Sequence, residues 1–584
     1  MLRSLLGTTA LLFSTLLFST LPLAADDWVA ESDATTRKVL EAQGAFYPEN
    51  AASLGVDAFD AEIIDLRSGV YERQQAQRRE LIRAVEAVHR TSEHPKLLQD
   101  LDILTRSLED QIVSARLEHE LLLPYFNLGQ TLYGGFNSLL DVRTDPARYP
   151  AALERLRKYT GQGTAAPISE LAKARTAERF DDQALEGPYR GEVERDLDNL
   201  PRFVEGMRQL FADSGLDGWE EDLDLLDRQL ADYADWVRAE VLPRAREDHR
   251  LPAALYADKL RGYGVRENPE DLIRLAQFSY AEIRAQMKSL ARQIADERGW
   301  DNGELVHVIR ELKKNQLPQD QLLEIYRQRL EAIEALIVEH DIVTLPNRPA
   351  RIRLATEAES ASIPAPFMSP PQLIDNTGQY GEFVLVQKNL ALDDGEAQMD
   401  DWTHDGMTWA LTVHEARPGH ELQFASLVEN GVSLARAVYA FNSANVEGWG
   451  LYSEAIMLEH LPLDGQLFTL QARLQRAARM FLDPMINLGQ MTREEAIDFM
   501  TGQVGLSRAM ARSEADRYAF LIPGQATAYF YGYINLQRLR TEVEQHLGER
   551  FDQRAFHDFL LAQGLLPPDL LREAVLSEFV PASS

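Results

Sequence analysis

The segment His414-Glu415-Ala416-Arg417-Pro418-Gly419-His420 places two imidazoles and a carboxylate together in a chain that has only 12 histidines. Such groups suit a hydrolytic zinc ion, which takes three protein ligands and keeps one position open. The usual helical arrangement sets two His four residues apart, with a Glu beside the first as general base. His414-Glu415 provides the first half of that arrangement. Pro418 stands where the second His belongs, and the next imidazole is His420. On an ideal helix, residues six apart point about 240° away from each other. Pro418-Gly419 removes the objection, because Pro breaks the helical ladder and Gly accepts unusual backbone angles. The spacing predicts a bulge or kink at Pro418-Gly419 that turns His420 toward His414.

A third ligand has to come from another helix. The run Val446-Glu447-Gly448-Trp449-Gly450-Leu451-Tyr452-Ser453-Glu454 holds two Glu seven residues apart, close to two helical turns, so both face one way. Glu447 lies 27 positions past His420, which leaves room for one helix and an antiparallel return. Glu447 is the expected third ligand and Glu454 its supporting carboxylate; the reverse assignment stays open. A single His or Glu on a helix is ordinarily structural. The grouping is harder to dismiss, since a Pro-Gly inside a helix costs roughly 3 kcal/mol and such local rule-breaking tends to mark functional sites.

The elements that must position these groups read as helices. Apolar residues recur at helical spacing over 36–45, 58–90, 98–123, 151–160, 192–213, 223–242, 269–297, 302–314 and 318–343. Asn268-Pro269-Glu270-Asp271 opens one of them with a cap, a first-turn Pro and acids against the helix dipole. The pattern changes near Leu345, where Pro346, Pro349, Pro364, Pro366, Pro370 and Pro371 cluster. Two short β-like runs, 351–355 and 382–386, flank a Pro-rich stretch expected to be loop. Helices resume after Asp405. The expectation is a mainly α protein with one small β-sheet next to the zinc-binding helices. Residues 26–584 would form one unit, made of a helical half over 26–344 and a zinc-site half over 345–584.

Composition narrows the function. The chain carries 92 acidic and 60 basic residues, a net charge of −32. Such a surface repels nucleic-acid phosphate and anionic lipid. Arg3, an apolar stretch over 5–21 and Leu23-Ala24-Ala25 form the pattern of a cleaved secretory signal over 1–25. No later segment has the length of apolar sequence that a membrane span needs. The expected location is therefore the periplasm, with no stable membrane insertion after cleavage. Cysteine is absent, which leaves His and carboxylates as the metal ligands and no lipobox thiol.

His-Glu-x-x-Pro-Gly-His with Leu422-Gln423, followed by Glu-Gly-Trp-x-x-Tyr-x-Glu, resembles the bacterial family called domain of unknown function 885. Arg517-Tyr518, Pro523-Gly524-Gln525-Ala526-x-x-Tyr529-x-x-Gly532 and the C-terminal Phe556-His557-Asp558 segment extend the resemblance over most of the chain. The family is similar to the gluzincin metallopeptidases. That implies a helical shell around a deep cleft, with His414, His420 and Glu447 as zinc ligands and Glu415 as base. Many members have a second His after Pro-Gly-His; here position 421 is Glu. Tyr529, with Tyr518 in reserve, is the expected donor to a tetrahedral oxyanion. Arg517 and Gln525 are expected to bind substrate main chain or a carboxylate. The run 383–386 is a candidate edge strand for peptide addition. The function these features imply is an exported zinc peptidase acting on oligopeptides. A silent binding or scaffold protein and a zinc hydrolase of other amides or esters are the alternatives. The oligomeric state is not legible.

Overall fold

The computed structural model describes residues 27–163, 166–363, 365–386 and 399–583. The expected signal segment 1–25 lies outside the described residues. The protein is mainly α with one three-stranded sheet. No helix among the described residues is long and apolar enough to cross a membrane.

Local sequence explains where most helices begin and end. Asn268 accepts from the Glu270 N–H at 2.9 Å, and the helix Pro269–Arg298 closes on Gly299 in the left-handed region. The predicted helix over 58–90 is shorter, covering only Val70–His89. The reason lies just before it. Asp65 is buried and accepts from the Arg67 N–H at 2.9 Å and from Arg73 at 2.8 Å, which holds a turn, and Gly69 has φ 69°. The predicted helix over 318–343 likewise shrinks to Leu322–Glu339. Helices Leu128–Leu140, Ile168–Ala177 and Ala253–Gly262 have no counterpart in the sequence reading.

The sheet is formed by β1 (Arg351–Leu354), β2 (Phe367–Ser369) and β3 (Glu382–Leu385), in the order β1-β3-β2. β1 runs parallel to β3 and β2 antiparallel to it. The run 383–386 is therefore in the central strand and is not an edge. Its residues are all buried, as a strand covered on both faces requires. The edge strand that borders a cavity is β2, inside the stretch expected to be loop. That stretch also holds a short helix, Glu357–Ser362, started by a capping box between Thr356 and Glu359.

The helix Leu463–Asn487 is the central element. Nearly all of it from Gly465 to Asn487 is buried, and it packs against Pro269–Arg298, Asp405–Leu411 and Gln525–Leu547. A helix covered all round has to satisfy its polar groups internally. Asp483 shows how. It accepts from the Tyr256 hydroxyl at 2.9 Å and from the Gly524 N–H at 2.9 and 3.0 Å, which fixes the turn that starts helix Gln525–Leu547.

Burial pushes the Asp483 carboxyl up to about 7, although these donors pull it down. A carboxyl raised in the folded state contributes stability that is full below its unfolded pKa and is lost as pH rises through 7. Asp483→Asn should therefore gain on the unsubstituted protein between pH 4 and pH 8, by up to roughly 4 kcal/mol. Urea denaturation at the two pH values measures this; an unchanged difference would contradict it.

Candidate metal centre and its cavity

The helix Asp405–Leu411 widens into a π-turn over Thr412–Ala416, which carries His414 and Glu415. The chain leaves extended at Arg417, and a new helix, His420–Glu429, begins on the second imidazole. The expected kink within one helix is thus a full break between two. Several contacts hold the break. The Trp449 indole N–H donates to the Pro418 carbonyl at 2.9 Å. Buried Arg417 donates to Glu421 at 2.8 Å, to Glu334 at 2.5 Å and to the Arg348 carbonyl at 2.9 Å. Arg348 donates to the other Glu421 oxygen at 2.6 Å. Glu421 is wholly buried, so the carboxylate at this unusual position ties the break together.

The break brings the two rings together, with centroids 4.6 Å apart and planes at 82°. The helix Ser443–Met457 supplies Glu447. Its Oε2 lies 3.5 Å from His414 Nε2 and 3.3 Å from His420 Nε2. A tetrahedral ion with bonds of about 2.0–2.1 Å sets its ligand atoms about 3.3 Å apart. One ligand atom from each of the three residues lies within 4.8 Å of the others. Glu447 Oε2 is buried and has no hydrogen-bond partner, an arrangement that folded proteins rarely leave without a ligand. Glu454 sits on the far side of the imidazole, 2.8 Å from His414 Nδ1, so the geometry favours Glu447 over Glu454 at the centre.

The buried groups are also coupled through their charges. Burial opposes charge on His414, yet Glu447 and Glu454 outweigh it and raise the imidazole to about 9. Burial also works against the Glu447 carboxylate, but the two imidazoles hold its pKa well below the usual range. Glu415 is buried beside them, and its carboxyl is pushed up by that burial. Room for the His414 ring comes from Gly450, where an added Cβ would lie 2.6 Å from His414 Cε1.

His414, Glu415, His420 and Glu447 line a cavity of about 1330 Å³, together with Tyr529 and Arg517. The Tyr529 ring lies parallel to His414 at 6.5 Å, and Arg517 donates to its hydroxyl at 2.7 Å. Tyr518, the reserve donor, does not line the cavity. It is fully buried, and its hydroxyl is taken by Glu514 at 2.5 Å. Gln525 is not on the cavity wall either; it accepts from Arg517 and donates to Ser443 at 3.0 Å, so it positions Arg517. The sequence reading missed Arg476 and Arg479, which line the same wall from Leu463–Asn487. Their signal was Arg at 473, 476 and 479, three residues apart along one helix.

Residues 48–575 match the family described as bacterial protein of unknown function, DUF885. The chain belongs to that family. Two solved structures share the DUF885 fold seen here. A lipoprotein of unknown function from Shewanella oneidensis is 20% identical, with 95% of this chain and 100% of that one aligned at a TM-score of 0.70. A lipoprotein from Colwellia psychrerythraea is 17% identical, with 95% and 99% aligned at 0.74. PZ peptidase A with an inhibitor aligns at a TM-score of only 0.26, too low to carry an argument. No curated protein matches.

Removing Glu421 from this DUF885 protein strands two guanidiniums on the break. Glu421→Ala should cost about 3 kcal/mol, read by urea denaturation. A loss below about 1 kcal/mol would show that the Arg417 and Arg348 contacts to Glu334 and Glu429 suffice alone.

Proposed function

We propose that this DUF885 protein is an exported zinc-dependent peptidase that hydrolyses oligopeptides with an activated water. The carrying observation is the Glu447 oxygen without a partner, set at tetrahedral-edge distances from two imidazole nitrogens and beside buried Glu415. Two His and a Glu, with a further Glu as base, is the gluzincin set. His414, His420 and Glu447 would hold a zinc ion, which when bound would lower the pKa of a water to about 7 and polarise a carbonyl.

The rest is done by the chain. Glu415 takes the water proton and returns it to the leaving amine; burial raises its affinity for that proton. Tyr529, fixed by Arg517, donates to the developing oxyanion. Glu454 on Nδ1 fixes the His414 ring and leaves Nε2 to the metal. β2 offers a strand edge at the cavity, through Phe367 and Met368, for an extended peptide. A cavity of this kind admits chains and not folded domains. A silent scaffold has no chemical use for a buried Glu415 at this position. Hydrolysis of other amides or esters would use the same groups.

The signal-like segment 1–25 is what supports export. The sequence offers no Cys for a thioether-linked lipid, so release into the periplasm after Ala25 is the reading for this chain.

Elemental analysis and a mixed peptide library test the proposal. Glu415→Gln should keep zinc and lose cleavage by a factor of about 10² to 10⁴. Glu454→Gln should weaken zinc binding about 10- to 100-fold in a competition with a chelating dye. Full activity in Glu415→Gln, or protein that takes up no zinc, would sink the reading.

A further inference from the structure

We infer that Arg476, Arg479 and Arg517 form a carboxylate-binding subsite beside the metal trio, which takes a peptide by its C-terminus or by an acidic side chain. The identity of the ligand as a peptide rests on the function proposed above; the subsite itself rests on three separate observations.

The first is unsatisfied donors. All three arginines line the cavity. Arg476 Nε, Arg479 Nη1 and Arg517 Nε are buried and have no hydrogen-bond partner. A buried donor of a charged group without a partner is costly. Arg473, one turn back, gives the contrast. It also has unpartnered N–H groups, but it is not on the cavity wall.

The second is that the carboxylates nearest these arginines are already engaged by other donors. Glu514 is the carboxylate beside Arg479 and Arg517, and it is already occupied. Arg479 takes both its oxygens at 2.7 and 2.8 Å, and Tyr518 takes one at 2.5 Å. Arg517 stands 3.7 Å from Glu514, and Arg476 stands 3.7 Å from Glu454. One carboxylate brought in from outside would give the remaining guanidinium N–H groups a charged acceptor.

The third is position. The Arg479 and Arg517 guanidiniums lie 4.5 and 5.2 Å from the Tyr529 ring, which lies 6.5 Å from His414. They are therefore no more than about 12 Å from the first imidazole, three residues or so of extended chain at about 3.5 Å each. A peptide held there by its end would present a bond near that end to Glu415. Cleavage would then release one to three residues from the C-terminus.

The test compares penta-alanine as free acid, as C-terminal amide, and as an amide ending in Glu. Calorimetry on Glu415→Gln protein reads binding without turnover. The free acid should bind at least tenfold more tightly than the plain amide, with zinc present and after chelation. Adding Arg476→Gln should reduce that preference to within twofold. Arg517→Gln, the more exposed of the three, is the second variant should the first not fold. A Glu-ended amide equal to the free acid assigns the subsite to side chains, and one equal to the plain amide assigns it to the C-terminus. Equal binding of acid and amide, a preference that vanishes on chelation, or one that survives both substitutions would overturn the subsite. Intact preference without cleavage by the unsubstituted protein would sink the peptidase reading and leave the subsite standing.

Discussion

The site depends on how closely one helix can approach its neighbours. Ser443–Met457 carries Glu447 and Glu454, and both must reach the His414 ring from opposite sides. Gly450 leaves the ring its space. Gly448 does the same toward the Tyr529 helix, where a Cβ on Gly532 would come within 1.8 Å of the Ala444 carbonyl. The Gly-Trp-Gly run between the carboxylates is thus a packing surface on two faces, and the Trp449 indole between them holds the chain break. A methyl group at either glycine would move the Glu447 backbone, and with it the ligand geometry.

Around this contact the protein spends buried charge freely. Arg417, Glu421, Arg479, Glu514 and Glu454 are all almost completely covered. Buried ion pairs are weak contributors to stability and strong determinants of geometry, because each alternative arrangement strands a charge. That suits the proposed metal site, whose ligand atoms would have to be held to within tenths of an ångström. The cavity wall mixes carboxylates with arginines that have donors to spare, so its charge differs from point to point.

Much of this was legible in the sequence, for a physical reason. Metal ligation and base catalysis admit few residue types, so His414, Glu415, His420 and Glu447 stand out by identity and spacing. Long amphipathic helices such as Pro269–Arg298 are legible for similar reasons, since cap and periodicity agree. What escaped depends on contacts between distant segments. β2 is three residues between two prolines and exists only because β3 pairs with it. Tyr518 and Gln525 sit in the same motif as Tyr529, yet the helix turn sends only Tyr529 to the cavity. Arg476 and Arg479 escaped because only the fold shows that they line the cavity.

The π-turn at Thr412–Ala416 has a consequence for how such chains can vary. A π-turn is an α-helix that has accommodated one extra residue. Deleting that residue would restore a regular helix and rotate everything beyond it by about 100°. Every residue from Thr412 to His420 is buried, so substitutions there disturb packed contacts, and an insertion or deletion would in addition swing His414 off the axis it shares with His420. Along this stretch, length is held as strictly as composition.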